Sequence, residues 1–192
     1  MKSAIPRIGL VSALAAAATA TQGQVTHLGD SPRPFSVVPP RGWLPGKTVT
    51  GNTRVAFSSP VDLPNGECSV AAVEFKGRRL TQAEIDKSLA EPATTKDVQA
   101  VLGRSYNNVK VLSTGNSLLA GFKAQVFKAE YSVGTPKGEL WAVLVATTAV
   151  VEPNASWTVS CGATGKTIAE ARRAFSYWQM DVNAFPTNFN FR

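Results

Sequence analysis

Histidine is almost missing from this chain. His27 is the single one in 192 residues, and it falls in a polar, proline-punctuated stretch ahead of the first apolar segment. A Ser–His or Cys–His nucleophile needs its base held within hydrogen-bonding reach, so triad chemistry has no base to work with. Cysteine is nearly as scarce, with Cys68 and Cys161 alone. Zinc and related metals take three or four Cys or His ligands, so no metal site or other cofactor site is expected. Charge is thin at 17% of residues, and the 13 acidic groups are scattered against 20 basic ones. Glu84 and Asp86 read as the exposed first turn of a helix, where negative charge is favoured. A paired-carboxylate mechanism is the one hydrolytic chemistry left open. Long apolar runs are missing beyond residue 20: Leu140 to Val151 contains Thr147 and Thr148 and is bounded by Glu139 and Glu152. A spanning helix needs about 20 apolar residues, so no transmembrane segment is expected in the mature chain.

What is present begins with an address. Lys2 and Arg7 precede an apolar run from Ile8 to Ala18, and Ala18-Thr19-Ala20 closes it with small side chains. That order of basic start, short apolar middle and small-residue end is a secretory signal, with cleavage expected after Ala20. Loss of Lys2 and Arg7 lowers the formal charge by two, from +7 to +5, a moderate excess that is not a nucleic-acid signature by itself. No cysteine stands at the end of the signal, so lipid attachment of the lipoprotein kind is not indicated. An exported chain, periplasmic or extracellular, meets an oxidising compartment. Cys68 and Cys161 are therefore expected to pair, two separate buried thiols being the alternative.

Composition and punctuation divide the chain into a signal over 1–20, a flexible leader over 21–34, one domain over 35–182 and an aromatic tail over 183–192. Phe35-Ser36-Val37-Val38 reads as a first strand stopped by Pro39-Pro40, and Gly42-Trp43 as a tight turn closing over an indole. Strands follow at Thr53–Phe57 and Cys68–Phe75, suggesting an antiparallel meander. Thr81-Gln82-Ala83-Glu84 has capping-box spacing, and Thr94 or Thr95 can cap a second piece, so a broken helix is expected over 82–102. Strand signals return at Val109–Leu112, with a turn at Thr114-Gly115-Asn116, then over Phe122–Val133 and over Leu140–Val151, which looks central. Trp157–Cys161 forms the second arm of a hairpin. A second capping box, Thr167 to Glu170, opens a helix whose stripe is Ile168, Ala171, Phe175, Trp178 and Val182. The sum is an α+β fold: an antiparallel sheet of about seven or eight strands with one inserted and one C-terminal helix packed on it.

Three motifs invite functional readings. Gly162-Ala163-Thr164-Gly165-Lys166-Thr167 comes close to a phosphate-cradling loop, but the position that needs the first glycine is Ser160, so a glycine-rich turn ending in a capping threonine is the expectation. Arg78-Arg79 and Arg172-Arg173 are adjacent basic pairs. With Arg41 and Trp43 they form the candidate surface for a protein or acidic envelope partner, although such pairs are ordinarily just solvated charge. Trp141, Trp157 and Trp178 are expected in the core, and the tail aromatics Phe185, Phe189 and Phe191 are expected to pack back on the domain.

The order of elements resembles the PsbP-like superfamily of exported proteins. Phe35 to Pro40 leading to Gly42-Trp43, the inserted helix, the run Gly121-Phe122-Lys123-Ala124 opening a strand, and the closing hairpin with its Thr167-capped helix carry the resemblance over about residues 35 to 182. It implies a helix-on-sheet sandwich and, for most members, a non-catalytic binding or assembly role. The histidines credited with metal binding in the photosynthetic member have no counterparts, so no functional residue is carried over. The expected function is an exported, non-enzymatic binding or accessory protein of the cell envelope. A small carboxylate-dependent hydrolase is the rival, and it requires two acids converging in one pocket.

Overall fold

Strand β9 (Ala155–Gly165) alternates without interruption between buried and half-buried residues. Trp157, Val159, Cys161 and Ala163 are at most 2% exposed, while Thr158, Ser160, Gly162 and Thr164 take the other face, as the two-residue period of a strand requires. The computed structural model, which describes residues 25–27, 32–46, 52–75, 80–151 and 155–192, places β9 at the middle of a seven-stranded sheet. Its neighbours are β5 (Gly66–Glu74) on one side and β8 (Gly138–Val151) on the other. β4 (Thr53–Ser58) and the short β3 (Leu44–Pro45) continue beyond β5, and β7 (Phe122–Thr135) and β6 (Asn107–Leu119) beyond β8. Every adjacent pair is antiparallel. The Leu140–Val151 segment, expected to be central, lies one place off centre.

The apolar face of this sheet is closed by C-terminal elements. α3 (Ile168–Tyr177) and α4 (Gln179–Ala184) meet at Trp178. The stripe read from the sequence is the buried one: Ala171, Phe175, Trp178 and Val182 are all buried, and Ile168 packs against them. Thr167 caps α3 through its hydroxyl, but the Glu170 carboxylate takes the Lys166 N–H at 2.9 Å, not that of Thr167, so the expected reciprocal box is only half made. A 3-10 turn (Phe185–Asn188) leads into β10 (Phe189–Phe191). β10 pairs antiparallel with β2 (Phe35–Val37), and β2 also carries β1 (Val25–His27) on its other edge. The first strand therefore belongs to a separate three-stranded sheet and not to the expected meander, and residues 25–27 of the expected leader are a paired strand. The tail packs as expected, with Phe185 and Phe189 1% exposed. Phe35, Trp157, Phe189 and Phe191 join the two sheets through ring contacts of 5.0–5.9 Å.

The broken helix appears as α1 (Gln82–Ser88) and α2 (Thr95–Leu102), each opened by a complete capping box, at Thr81 with Glu84 and at Thr94 with Asp97. The turn expected at Thr114–Asn116 is continuous strand, paired with Phe127, Val126 and Gln125. The chain reverses instead at Ala120-Gly121, where both residues have positive φ, 50° and 86°. That is the two-residue hairpin whose backbone twist matches its strands. A Cβ on Gly121 would meet nothing within 4 Å, so Gly121→Ala isolates the left-handed backbone penalty and is expected to lower unfolding free energy by about 1–2 kcal/mol. Denaturant titration of the two proteins measures it; equal midpoints would exclude this turn geometry.

Cys68 and Cys161 face each other across β5 and β9 and form a disulfide in the core.

Candidate binding cleft

The face of the sheet away from α3 carries the polar half of the alternation. Register places Glu67, Gly162, Leu144 and Ala129 in one row across β5, β9, β8 and β7, and Thr164, Ala142 and Tyr131 in the next. Ser69 and Ser160 occupy the row on the other side, their hydroxyls 3.1 Å apart. α2 packs beside β6 on this face, and the chain leaving α2 presents Tyr106. Its ring lies 4.2 Å from that of Tyr131 at 32°. Between this tyrosine wall and the β4–β5 side lies a cleft of about 590 Å³, within the size range of small-molecule sites.

The floor of the cleft combines the small residues Gly162 and Ala142 with Leu144, which stands beside Gly162 in the same row. A Cβ on Gly162 would stand 2.8 Å from the Val143 carbonyl oxygen, so this position admits no side chain without a shift of the strand. Glu67 is the one charged residue in the lining among the described residues. Partial burial raises its carboxyl above the ordinary glutamate range. Burial, with smaller contributions from Tyr106 and Glu67, likewise drives the Tyr131 phenol well above its usual value, so it stays a protonated donor. A second, apolar pocket of about 310 Å³ lies under α2, lined by Val98, Val101, Leu102 and Phe127 among others.

Of the basic and aromatic residues singled out from the sequence, none of those described lines this cleft. Trp43 is 5% exposed and packs edge-to-face on Trp178, whose indole N–H donates to the Pro64 carbonyl at 2.7 Å. It is a core residue and not a partner-facing one. Arg172 is 54% exposed at its side chain but bound twice to the nearly buried Glu130 carboxylate, each hydrogen bond 2.7 Å, which pins α3 to β7. Arg41 and Arg173 are exposed. Arg78 and Arg79 lie outside the described residues. The expected glycine-rich turn is also absent: Gly162 to Gly165 continue β9. The alternation of Thr158, Ser160, Gly162 and Thr164 was the available signal for the cleft floor, whereas the wall it faces comes from β5, β7 and the exit of α2.

The Arg172 hydrogen bonds hold Glu130 below the ordinary carboxylate range, against the opposing effect of burial. A carboxyl with a depressed folded pKa stabilises fully above its unfolded value, about 4.3, and that contribution is lost as pH falls through the folded value. Arg172→Ala is therefore expected to lower the melting temperature at neutral pH, with the gap to the parent closing below about pH 4. Melting curves across pH decide it; a gap that does not change with pH would contradict the role given to this pair.

No protein-family model matches the chain, and neither does any curated protein. Solved structures do resemble it. Cyanobacterial PsbP (CyanoP) from Synechocystis sp. PCC 6803 superposes with a TM-score of 0.53 at 11% identity, covering 96% of this chain and 100% of that one. LpqN of Mycobacterium tuberculosis, described as involved in cell envelope biogenesis, superposes with a TM-score of 0.52 at 9% identity, covering 88% of this chain and 90% of that one. The fold is PsbP-like, as the order of elements implied.

Proposed function

From a PsbP-like fold with one sheet face sealed and the other open, we propose that this protein is an exported, non-enzymatic binding or accessory protein of the cell envelope that holds its ligand in the cleft over β5, β9, β8 and β7. The observation that carries the reading is the lining: among the described residues, hydroxyls, two tyrosines and a single carboxylate, Glu67, in a volume of about 590 Å³. A carboxylate-dependent hydrolase needs a second acid beside the first. Among the described residues Glu139 is held by Ser132 and Asn108, and Glu130 by Arg172, so neither stands free to pair with Glu67. The signal pattern at residues 1–20 and the disulfide support export, and the envelope role described for LpqN is consistent with the compartment.

Two measurements test this. Intact mass of the protein recovered from its own cell envelope is expected to begin at Thr21 or within a few residues of it. Native mass spectrometry of that protein after exposure to envelope extract is expected to show a retained small molecule, lost in a Ser160→Phe variant that fills the cleft. A mass that includes Met1 to Ala20 would remove the export half of the reading, and identical spectra for parent and variant would remove the cleft.

A further inference from the structure

We propose that the cleft ligand is a neutral saccharide, held between the Glu67 carboxylate on β5 and the Tyr131 phenol on β7. This rests on the reading of the protein as a binding protein and adds the chemistry of what is bound.

The width of the cleft is the first argument. Glu67 and Tyr131 rise from the same face with β9 and β8 between their strands. Three interstrand spacings separate their backbones by about 14 Å. Both residues line the cleft, whose floor between them includes Gly162, Ala142, Leu144 and Thr164, and a sugar ring with its hydroxyls is of a size to bridge them. The lining volume of about 590 Å³ leaves room for a second ring along the strands.

Polarity is the second. Among the described residues no lysine or arginine lines the cleft, and the one charge there is negative, so phosphorylated and carboxylated ligands meet repulsion from Glu67 with no described cation to offset it. The polar groups offer both senses of hydrogen bond. The Glu67 carboxylate accepts only, the Tyr131 phenol is a standing donor, and Ser69, Ser160 and Thr164 do either. Glu67 makes no hydrogen bond or ion pair among the described residues, so its acceptor oxygens are available to a ligand. A ligand that donates to Glu67 while accepting from Tyr131 and the serines carries several hydroxyls on a rigid frame. The Tyr106–Tyr131 pair adds an amphipathic wall, against which the C–H face of a pyranose can lie.

The competing ligand chemistry is an organic cation, which would use Glu67 as counter-ion and the tyrosines as a cation–π surface. The row of hydroxyls across β5 and β9 would then have nothing to do, which is why the saccharide is preferred.

The test is titration calorimetry of the full mature protein against maltose, cellobiose and chitobiose, with choline and glucose 6-phosphate alongside. At least one neutral disaccharide is expected to bind, insensitively to salt. Glu67→Gln and Tyr131→Phe, which keep the shape of the walls, are each expected to weaken that binding about tenfold or more, while Arg173→Ala leaves it unchanged. Tight binding of choline with no saccharide binding, or preference for glucose 6-phosphate, would overturn the saccharide assignment and leave the binding-protein reading standing. Binding by none of the five probes, with an envelope molecule still captured and still lost in Ser160→Phe, would do the same. Binding by none, with no capture from extract either, would overturn both.

Discussion

Opening the Cys68–Cys161 bridge is expected to lower the unfolding free energy by about 4–5 kcal/mol, the value for a closed loop approaching 100 residues in the chain-entropy account. The two half-cystines are 93 positions apart in sequence yet directly opposed across the middle pair of the sheet, β5 and β9. The bridge thus encloses α1, α2 and three of the longest strands in one covalent loop, and most of its effect falls on the unfolded chain, which loses the conformations that hold β5 far from β9. Denaturant titrations with and without reductant measure the loss. The double variant Cys68→Ala/Cys161→Ala should match the reduced parent closely and should not respond to reductant. A difference of less than about 1 kcal/mol between oxidised and reduced protein would mean that the enclosed segment stays compact when unfolded.

Trp157→Ala is expected to destabilise by about 3–5 kcal/mol, the range for truncating a large buried aromatic. Trp157 is fully buried on β9 and touches Phe35 of β2 and both Phe189 and Phe191 of β10. Its indole is the peg on which the three-stranded sheet sits against the seven-stranded one. The loss should therefore be uneven. Hydrogen exchange is expected to accelerate first at residues 35–37 and 189–191, before the amides of β8 and β9 respond. A uniform loss of protection would show that the small sheet is held by its connections and not by the aromatic cluster.

Local signals proved readable from the sequence and non-local ones did not. The α3–α4 stripe, the capping box at Thr81, a threonine cap at the start of α2 and the cross-strand cysteines follow from spacings within a few residues or from compartment chemistry. Thr114-Gly115-Asn116 was misleading because its composition is that of a turn, while the reversal that forms uses Ala120-Gly121, in which alanine accepts a conformation it disfavours. Choosing between them requires the long pairing of β6 with β7, a property of two strands together. The same holds for β2. Phe35 to Val37 is recognisable as a strand, but its partner β10 lies some 150 residues away, and no spacing announces it. Trp43 follows a turn and so reads as a surface residue; it is buried because Trp178, on a distant helix, closes over it. The cleft was half legible, its floor in the alternation of β9 and its tyrosine wall only after β7 and the exit of α2 meet.

The pairing of β2 with β10 ties the earliest strands of the domain to its last ones, and the backbone N–H of Arg192 donates to the Pro34 carbonyl at 3.0 Å. A chain delivered amino end first, whether from a ribosome or through a membrane pore, therefore cannot complete its smaller sheet until residues 189–191 have emerged. Phe35 and Val37, both fully buried in the completed fold, lack their β10 partner until then. The seven-stranded sheet has all its strands by residue 165, so the smaller sheet is the last of the two that can close. A chain cut short of residue 189 leaves Phe35 and Val37 without their β10 partner, so the cover over this apolar strand depends on a segment some 150 residues further along.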